Sequence, residues 1–117
     1  MIPVVPPATV EADFTRRYID VNDAACELLG YSREELLNMR IDDLSFPSGA
    51  HVKPMYAQFV EDGDMRGIFA VKRKSGEIIW VRYRAETVNG RYRSTFTHYE
   101  PWDTKQTEAG PDMQDRR

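Results

Sequence analysis

The sequence of 117 residues is poor in the residues that bind metals and form cross-links: it has one cysteine, Cys26, and two histidines, His51 and His98. A single cysteine excludes an internal disulfide and a zinc site built from several cysteines. No apolar stretch approaches the roughly 20 residues that span a membrane. The start, MIPVVPPATV, lacks the basic segment and apolar core of a secretory signal. We therefore expect one soluble, cytoplasmic domain that folds without a metal or a disulfide and makes no membrane contact.

Patterns that carry catalysis are also missing from the sequence. It has no serine–histidine–aspartate set, no carboxylate–histidine cluster with ligand spacing and no phosphate-binding glycine loop. Asp20, Asp42 and Asp43 could be imagined as an acid–base group near Tyr18, but helix caps and solvated turns explain them more simply. The protein is therefore not expected to be an enzyme.

Charge is unevenly distributed along the chain. Residues 1–65 carry twelve acidic and five basic side chains, whereas residues 66–99 carry two acidic and eight basic ones. Such asymmetry can mark a surface that binds nucleic acid or another anion. We prefer the simpler interpretation that an acidic and a basic layer of one domain attract each other.

The two ends of the chain differ from its middle. Residues 1–8 hold three of the seven prolines and predict an extended, unpaired lead-in. Residues 9–100 carry the periodic patterns of a folded domain. Residues 101–117 are predicted to form a disordered tail, since residues 104–117 show no apolar periodicity.

Helix signals dominate the first half of the domain. After a short strand at Tyr18–Val21, Asn22 supplies a capping oxygen for a helix that would end at Gly30. Residues 32–35 match the capping box S-x-x-E of a second helix, and a further turn is predicted over Ile41–Leu44. A longer helix is indicated by apolar residues at i, i+3, i+4, i+7 and i+8, namely Val52, Met55, Tyr56, Phe59 and Val60. Pro54 requires this helix to begin near Val52, and Gly63 closes it.

The second half changes to a period of two. Residues 67–73, 77–88 and 91–99 are rich in β-branched and aromatic residues and predict three strands. Residues 74–76 and the Asn89–Gly90 pair supply the hairpin turns. The sequence thus predicts an α+β domain with an antiparallel meander at its end.

Two blocks resemble the PAS domain family. Residues 18–37, YIDVNDAACELLGYSREELL, are similar to its first half, and residues 71–81, VKRKSGEIIWV, are similar to its second half. The resemblance covers about residues 9–99. It implies a five-stranded antiparallel sheet of order 2-1-5-4-3 with short helices on one face. One departure is the short, polar stretch before Tyr18, from which we expect a weak first strand.

The resemblance also implies a ligand space between the inner sheet face and the longer helix. Its candidate lining residues are Val52, Met55, Tyr56, Phe59, Phe69, Val71, Ile79, Val81, Tyr83, Thr95 and Thr97. Tyr83 and the two threonines would be the polar groups of such a pocket. The alternative, which we prefer, is a packed core whose hydroxyls are satisfied locally.

Cofactors of the family can be compared with the residues present. The photochemical flavin type needs a cysteine after the second helix, where this chain reads MRIDDL, so that cofactor is excluded. The photoactive thioester type needs a cysteine in the same region, whereas Cys26 lies on the first helix as a small hydrophobic residue. His51 is a weak candidate haem ligand, since an ungapped comparison puts Val52 at the ligand position. We expect neither haem, nor another metal, nor a covalently bound cofactor, and the ligand, if there is one, stays unknown.

The opposite face of the sheet is predicted to mix aromatic and cationic side chains. Alternation assigns to this face Trp80, Arg82, Arg84, Tyr92, Ser94, Phe96 and His98. In PAS-like domains the outer face commonly holds a dimer partner, a flanking helix or an effector. The same residues could bind nucleic acid, although the net charge of −3 disfavours this. A third possibility is that the lead-in or Trp102 covers the patch.

These observations predict a PAS-like sensory or protein-interaction module of bacterial-type signalling, such as two-component or transcription control. It would couple a small ligand or a binding event to a signalling protein or effector in trans, and it would form a homodimer through the outer sheet face or the N-terminal segment. One alternative is a ligand-free dimerisation or adaptor module. The other is a module that binds nucleic acid or another anion through the basic sheet face.

Overall fold

The computed structural model describes residues 1–46 and 52–102. Within them, one antiparallel sheet has the strand order β2-β1-β5-β4-β3, as predicted. The elements in chain order are β1 (Ile2–Ala12), β2 (Tyr18–Val21), α1 (Asp23–Leu29), α2 (Arg33–Leu36), α3 (Ile41–Leu44), α4 (Val52–Asp62), β3 (Asp64–Lys72), β4 (Ile78–Val88) and β5 (Arg91–Pro101).

The short helices begin and end where the capping residues predicted. The Asn22 side chain accepts a hydrogen bond from the backbone N–H of Ala25, and Gly30 ends α1 with φ +83°, a left-handed conformation that favours glycine. Ser32 and Glu35 form both hydrogen bonds of the capping box at α2. Pro54 lies in the first turn of α4, where it removes no helical hydrogen bond. These local signals fix the helices that lie against one face of the sheet.

The N-terminal segment is part of the sheet, so the prediction of an unpaired lead-in was wrong. Ile2 lies opposite Tyr99, and Ala8 lies opposite Phe96. The register shifts between Pro3 and Ala8, and short β2 pairs only with Val10–Ala12 of β1. Prolines fit here because the pairing of β1 with β5 is interrupted between Pro3 and Ala8, and β2 does not extend to this part of β1. The first strand is therefore eleven residues long, not weak.

The faces of β5 differ from the prediction over residues 91–97. The two-residue Asn89–Gly90 turn places Val88 opposite Arg91, so Tyr83 lies opposite Phe96 and Ala85 opposite Ser94. Paired residues share a face. Tyr92, Ser94 and Phe96 therefore face the helices, and Thr95 faces away; the prediction had these reversed. A bulge at Thr97 restores the alternation, so His98 lies opposite Arg82 on the outer face, as predicted.

The C-terminal end of the domain extends further than predicted. Pro101 is the last residue of β5, and the backbone N–H of Trp102 bonds to the carbonyl of Ile78. A disordered tail that begins at residue 101 is thus wrong for these two residues. The remaining tail, residues 103–117, and the candidate haem ligand His51 lie outside the described residues.

Candidate functional site

The helix side of the sheet is filled by aromatic rings. The Phe59 ring packs edge-on against Tyr92 at 5.0 Å between centroids, and Tyr56 lies 5.9 Å from Tyr92. On the same side, Phe69 packs edge-on against Tyr83 at 5.0 Å and against Phe96 at 6.2 Å. Such edge-to-face pairs stabilise a core beyond the area that they bury. The two residues that the prediction had placed outside, Tyr92 and Phe96, are therefore core residues.

The cavity between α4 and the sheet measures about 10 Å³, room for one water molecule at most. Five predicted pocket residues line it: Val52, Met55, Tyr56, Phe59 and Tyr83. Phe69, Val71, Ile79 and Val81 lie in the same core, as predicted. Ile41, Met65, Ala85 and Tyr92 also line it and were not predicted. A larger ligand would have to displace these side chains.

Polar groups are sparse on the helix side. The Tyr83 hydroxyl donates only a weak hydrogen bond to the sulfur of Met55 at 3.8 Å, and the Tyr56 hydroxyl donates to the carbonyl of Asp13 at 3.4 Å. Burial raises the pKa of both phenols, so they stay protonated at neutral pH. Thr95 and Thr97 do not contribute here, because Thr95 is on the outer face and the Thr97 hydroxyl contacts Nδ1 of His98 at 3.0 Å.

The outer sheet face carries three exposed arginines on β3 and β4. Arg84 lies directly opposite Arg66, and Arg82 lies opposite Ile68. Arg82 and Arg84 were predicted, whereas Arg66 was not, because it falls just before the predicted start of its strand. Among the residues that the structure describes, these three guanidinium groups make no ion pair or hydrogen bond. We call them the outer-face arginines.

The cations near β1 and β2 are paired instead. Nε and Nη2 of Arg93 both donate to Glu11, at 3.1 and 2.9 Å, and Arg91 lies 3.4 Å from the other oxygen of that carboxylate. Arg33 of α2 donates to the carbonyl of Val21 and lies 3.1 Å from Asp23. Glu11, Arg93, Asp23 and Arg33 line an open hollow of about 510 Å³. Both arginines that line it have a carboxylate partner within the chain.

Trp80 is on the outer face, as predicted, but it is covered. The Trp102 ring stacks on it with centroids 4.8 Å apart and an angle of 14°, and Phe46 packs edge-on against Trp102 at 5.3 Å. Trp80 is only 8% exposed, and its buried Nε1 has no hydrogen-bond acceptor in the described part of the chain. The possibility that Trp102 covers the patch is thus observed at Trp80, whereas Arg82 and Arg84 stay exposed. We call Trp80 and Trp102 the tryptophan pair.

Two negative findings concern the described residues alone. Within residues 1–46 and 52–102, no three histidine, cysteine or carboxylate side chains are grouped as metal ligands would be. In the same ranges, no helix has the length and apolar character needed to cross a lipid bilayer. Cys26 is half-buried on α1, and burial raises the pKa of its thiol, as in a small core residue.

Comparisons with known proteins agree with this architecture. The sequence matches the profile of a family described as PAS domain over residues 7–98. A search of curated proteins gives no match. Among solved structures, the PAS domain of a protein from Colwellia psychrerythraea has a TM-score of 0.71 and 23% identity, covering 79% of this chain and 85% of that one.

Two further structures belong to signalling proteins. A domain of a sensory box sensor histidine kinase/response regulator from Geobacter sulfurreducens has a TM-score of 0.69 and 24% identity, covering 77% and 81% of the two chains. The PAS domain of a LuxR-family transcriptional regulator from Burkholderia thailandensis, in complex with ethanol, has a TM-score of 0.67 and 18% identity, covering 86% and 92%. With the profile match over most of its length, the chain belongs to the PAS domain family.

Proposed function

We propose that this PAS domain is a sensory or protein-interaction module of signal transduction that couples an event on the helix side of its sheet to a partner protein on the outer face. PAS domains are typically sensory modules, and similar structures come from a sensor histidine kinase and a transcriptional regulator. One observation carries the proposal: neighbouring side chains of β4 lie on opposite faces of the sheet. Tyr83 packs in the core, while Arg82 and Arg84 on either side of it face outward.

The mechanism is a shift between two arrangements of the sheet. Any event that moves Met55 on α4 also moves the Tyr83 ring, because the hydroxyl of Tyr83 contacts the sulfur of Met55. Strand β4 is paired with both neighbours, so a displacement of Tyr83 changes the positions of the outer-face arginines. A partner that binds one arrangement better then shifts the population toward it. The effector in trans, a homodimer and a cytoplasmic location stay predictions.

The second candidate is a ligand-free adaptor module. It is supported by the small cavity of about 10 Å³, which the side chains of α4 and the sheet fill themselves. In that case the interior only holds the fold, and the outer face binds its partner constitutively. The two candidates differ in whether the interior and the outer face respond to each other.

The indole signals of the tryptophan pair test this coupling. The chain has two tryptophans, and both lie in the pair, so each indole N–H signal in a ¹H–¹⁵N NMR spectrum reports on the outer face. Met55→Ala opens space beside Tyr83. Val60→Ala removes similar apolar atoms from an exposed position, 63% accessible, on the same helix. We expect Met55→Ala to shift both indole signals and Val60→Ala to leave them in place.

A different pattern would contradict the sensory proposal. If Met55→Ala lowers the unfolding temperature while both indole signals stay at their wild-type positions, the two faces are independent. The adaptor candidate would then be the better account. Trp102→Phe assigns the two signals, because it removes one of them.

A further inference from the structure

The outer-face arginines have no counter-ion in the parts of the chain that the structure describes. Arg84 and Arg66 are directly opposite each other on neighbouring strands. Two like charges in this position destabilise an antiparallel pair. The acidic residue nearest to Arg84 along the same face of β4 is Glu86. It lies opposite Asp64 on β3 and opposite Arg93 on β5. The sheet thus keeps a repulsion that an anionic partner would relieve.

The spacing of these cations matches acidic side chains on a helix. Arg82 and Arg84 lie two residues apart on one face of β4, which is about 6.8 Å along an antiparallel strand. The Cβ atoms of the directly opposed Arg84 and Arg66 are about 5 Å apart. Carboxylates one turn apart on a helix have Cβ atoms about 5–6 Å apart. One face of an acidic helix can therefore place two carboxylates on this patch, each able to accept two hydrogen bonds from a guanidinium group.

The surroundings favour a compact acidic ligand over a long polyanion. Toward the Asn89–Gly90 turn, the next outer-face pair is Glu86 and Asp64, both acidic. A nucleic-acid backbone that followed the strands would meet these two carboxylates, whereas a short helix can contact the arginines without reaching them. Apolar contact is also available, since half-buried Ile68 lies opposite Arg82.

We infer that the outer-face arginines bind an acidic amphipathic helix of a partner protein. Its carboxylates pair with Arg66, Arg82 and Arg84, and an adjacent apolar side chain packs on Ile68. The inference rests on the proposed function, because it gives the chemistry of the partner that binds at this face.

A fluorescently labelled synthetic helical peptide is the probe. It carries glutamates one turn apart with leucines beside them, and a second peptide has glutamine in place of each glutamate. Anisotropy titrations use the full chain and the variants Arg82→Glu and Arg84→Glu. The matched control is Lys53→Glu, which makes the same change of charge at an exposed position of α4.

The acidic peptide is expected to bind the wild-type chain and to lose affinity as salt rises from about 50 to about 200 mM, as ion pairing requires. Each arginine reversal should weaken binding about tenfold, because a desolvated attraction becomes a repulsion. Lys53→Glu should change the affinity by less than about twofold. Reversing Arg84 also places a carboxylate opposite Arg66, which should stabilise the strand pair, so a loss of binding in this variant is not expected to come from unfolding.

Four binding results would overturn the inference. The acidic peptide fails to bind; the glutamine peptide binds equally well; Lys53→Glu weakens binding as much as Arg84→Glu does; or single-stranded oligothymidine binds more tightly than the peptide. Sedimentation of the protein alone tests whether a second copy of the chain binds at this face. A dimer that Arg84→Glu abolishes would assign the face to that second copy. These outcomes are separate from the indole test, which uses no peptide. Failure of peptide binding with shifted indole signals would reject the acidic helix and keep the sensory proposal.

Discussion

The two faces of the sheet satisfy their side chains in opposite ways. On the helix side, the rings of Phe59, Tyr83 and Tyr92 contact one another or their neighbours and leave a cavity of only about 10 Å³. On the outer side, Arg66 and Arg84 face each other without a carboxylate among the described residues. The packed rings stabilise the fold, whereas the opposed arginines do not. We therefore expect a partner to bind at the outer face.

The basic side chains of the outer face fall into two groups. Near β1, Glu11 binds both Arg91 and Arg93, so both of these cations have a carboxylate partner within the chain. On β3 and β4, Arg66, Arg82 and Arg84 have no carboxylate partner among the described residues. The difference shows that a count of basic residues over 66–99 overstates the binding surface, because part of that charge has an internal role.

The largest expected effect comes from opening the helix side. Phe59 is 4% exposed and packs on Tyr92 and Tyr56. Phe59→Ala should lower the free energy of unfolding by about 3 to 5 kcal/mol, as removal of a buried ring usually does. Urea denaturation followed by far-UV circular dichroism measures this. Val60→Ala, next to it and exposed, should cost less than about 0.5 kcal/mol. Equal losses would show that α4 does not close the core.

The next effect concerns the covered part of the outer face. Trp102→Ala removes the ring that stacks on Trp80 and the edge contact with Phe46. It should lower the free energy of unfolding by about 1 to 2 kcal/mol. Two stacked indoles couple electronically, so the near-UV circular dichroism should also lose its strongest tryptophan bands. A wild-type spectrum after the substitution would mean that the pair does not form.

An ion pair between the β1–β2 connection and α3 gives a pH prediction. Burial of Asp42 opposes ionisation, but the paired hydrogen bonds from Arg16, at 2.9 and 3.1 Å, outweigh it and lower the pKa of Asp42. A lowered pKa in the folded state stabilises the protein above the unfolded value of about 3.9, and this stabilisation is lost as pH falls through the folded value. Asp42→Asn should cost about 1 kcal/mol at neutral pH.

The control for this prediction is the pH dependence itself. The difference in unfolding free energy between the wild type and Asp42→Asn should shrink steadily below about pH 4. A difference that stays constant down to low pH would show that the carboxylate charge of Asp42 is not what stabilises the contact.

A smaller effect of opposite sign is expected from the outer-face arginines. Arg84→Glu replaces the repulsion with Arg66 by an attraction and should raise the free energy of unfolding by about 0.2 to 1 kcal/mol. Thermal unfolding at low salt measures this, and the gain should diminish at high salt. Arg66→Glu is the matched variant, with the charges exchanged. A loss of stability in both variants would contradict the register that places these residues opposite each other.

The smallest effect checks the reassigned face of β5. Thr95 is half-buried on the outer face, opposite Thr9 and Arg84. Thr95→Val should therefore change the free energy of unfolding by no more than about 0.5 kcal/mol. Ser94→Val adds volume at a fully buried position next to it and should destabilise by about 1 to 3 kcal/mol. The reverse order would restore the sequence-based assignment.

Much of the fold could be predicted because its signals are local. Two helix caps, Asn22 and Ser32, accept hydrogen bonds from backbone N–H groups three residues away, and the Asn89–Gly90 turn reverses the chain within two residues. Such effects can be predicted from the sequence. The same turn also fixes which face Phe96 takes, since it sets Val88 opposite Arg91. The alternation pattern of residues 91–99 alone does not include this constraint, so the predicted faces of β5 were reversed over residues 91–97.

Other features depend on contacts that no short pattern encodes. The bulge at Thr97 changes the alternation within one strand, and β1 includes prolines because β2 is too short to pair with its beginning. The ring of Trp102 stacks on that of Trp80, which lies 22 positions earlier in the chain. Which arginines lack a counter-ion among the described residues could not be predicted either, because this depends on the pairing of Glu11 with Arg91 and Arg93.

Native mass spectrometry of the freshly purified chain, alone and with the two helical peptides, tests most directly that the outer face is the binding side. The account predicts a complex with one acidic peptide and no complex with the glutamine peptide. A chain that binds neither peptide, or binds both equally, would contradict it.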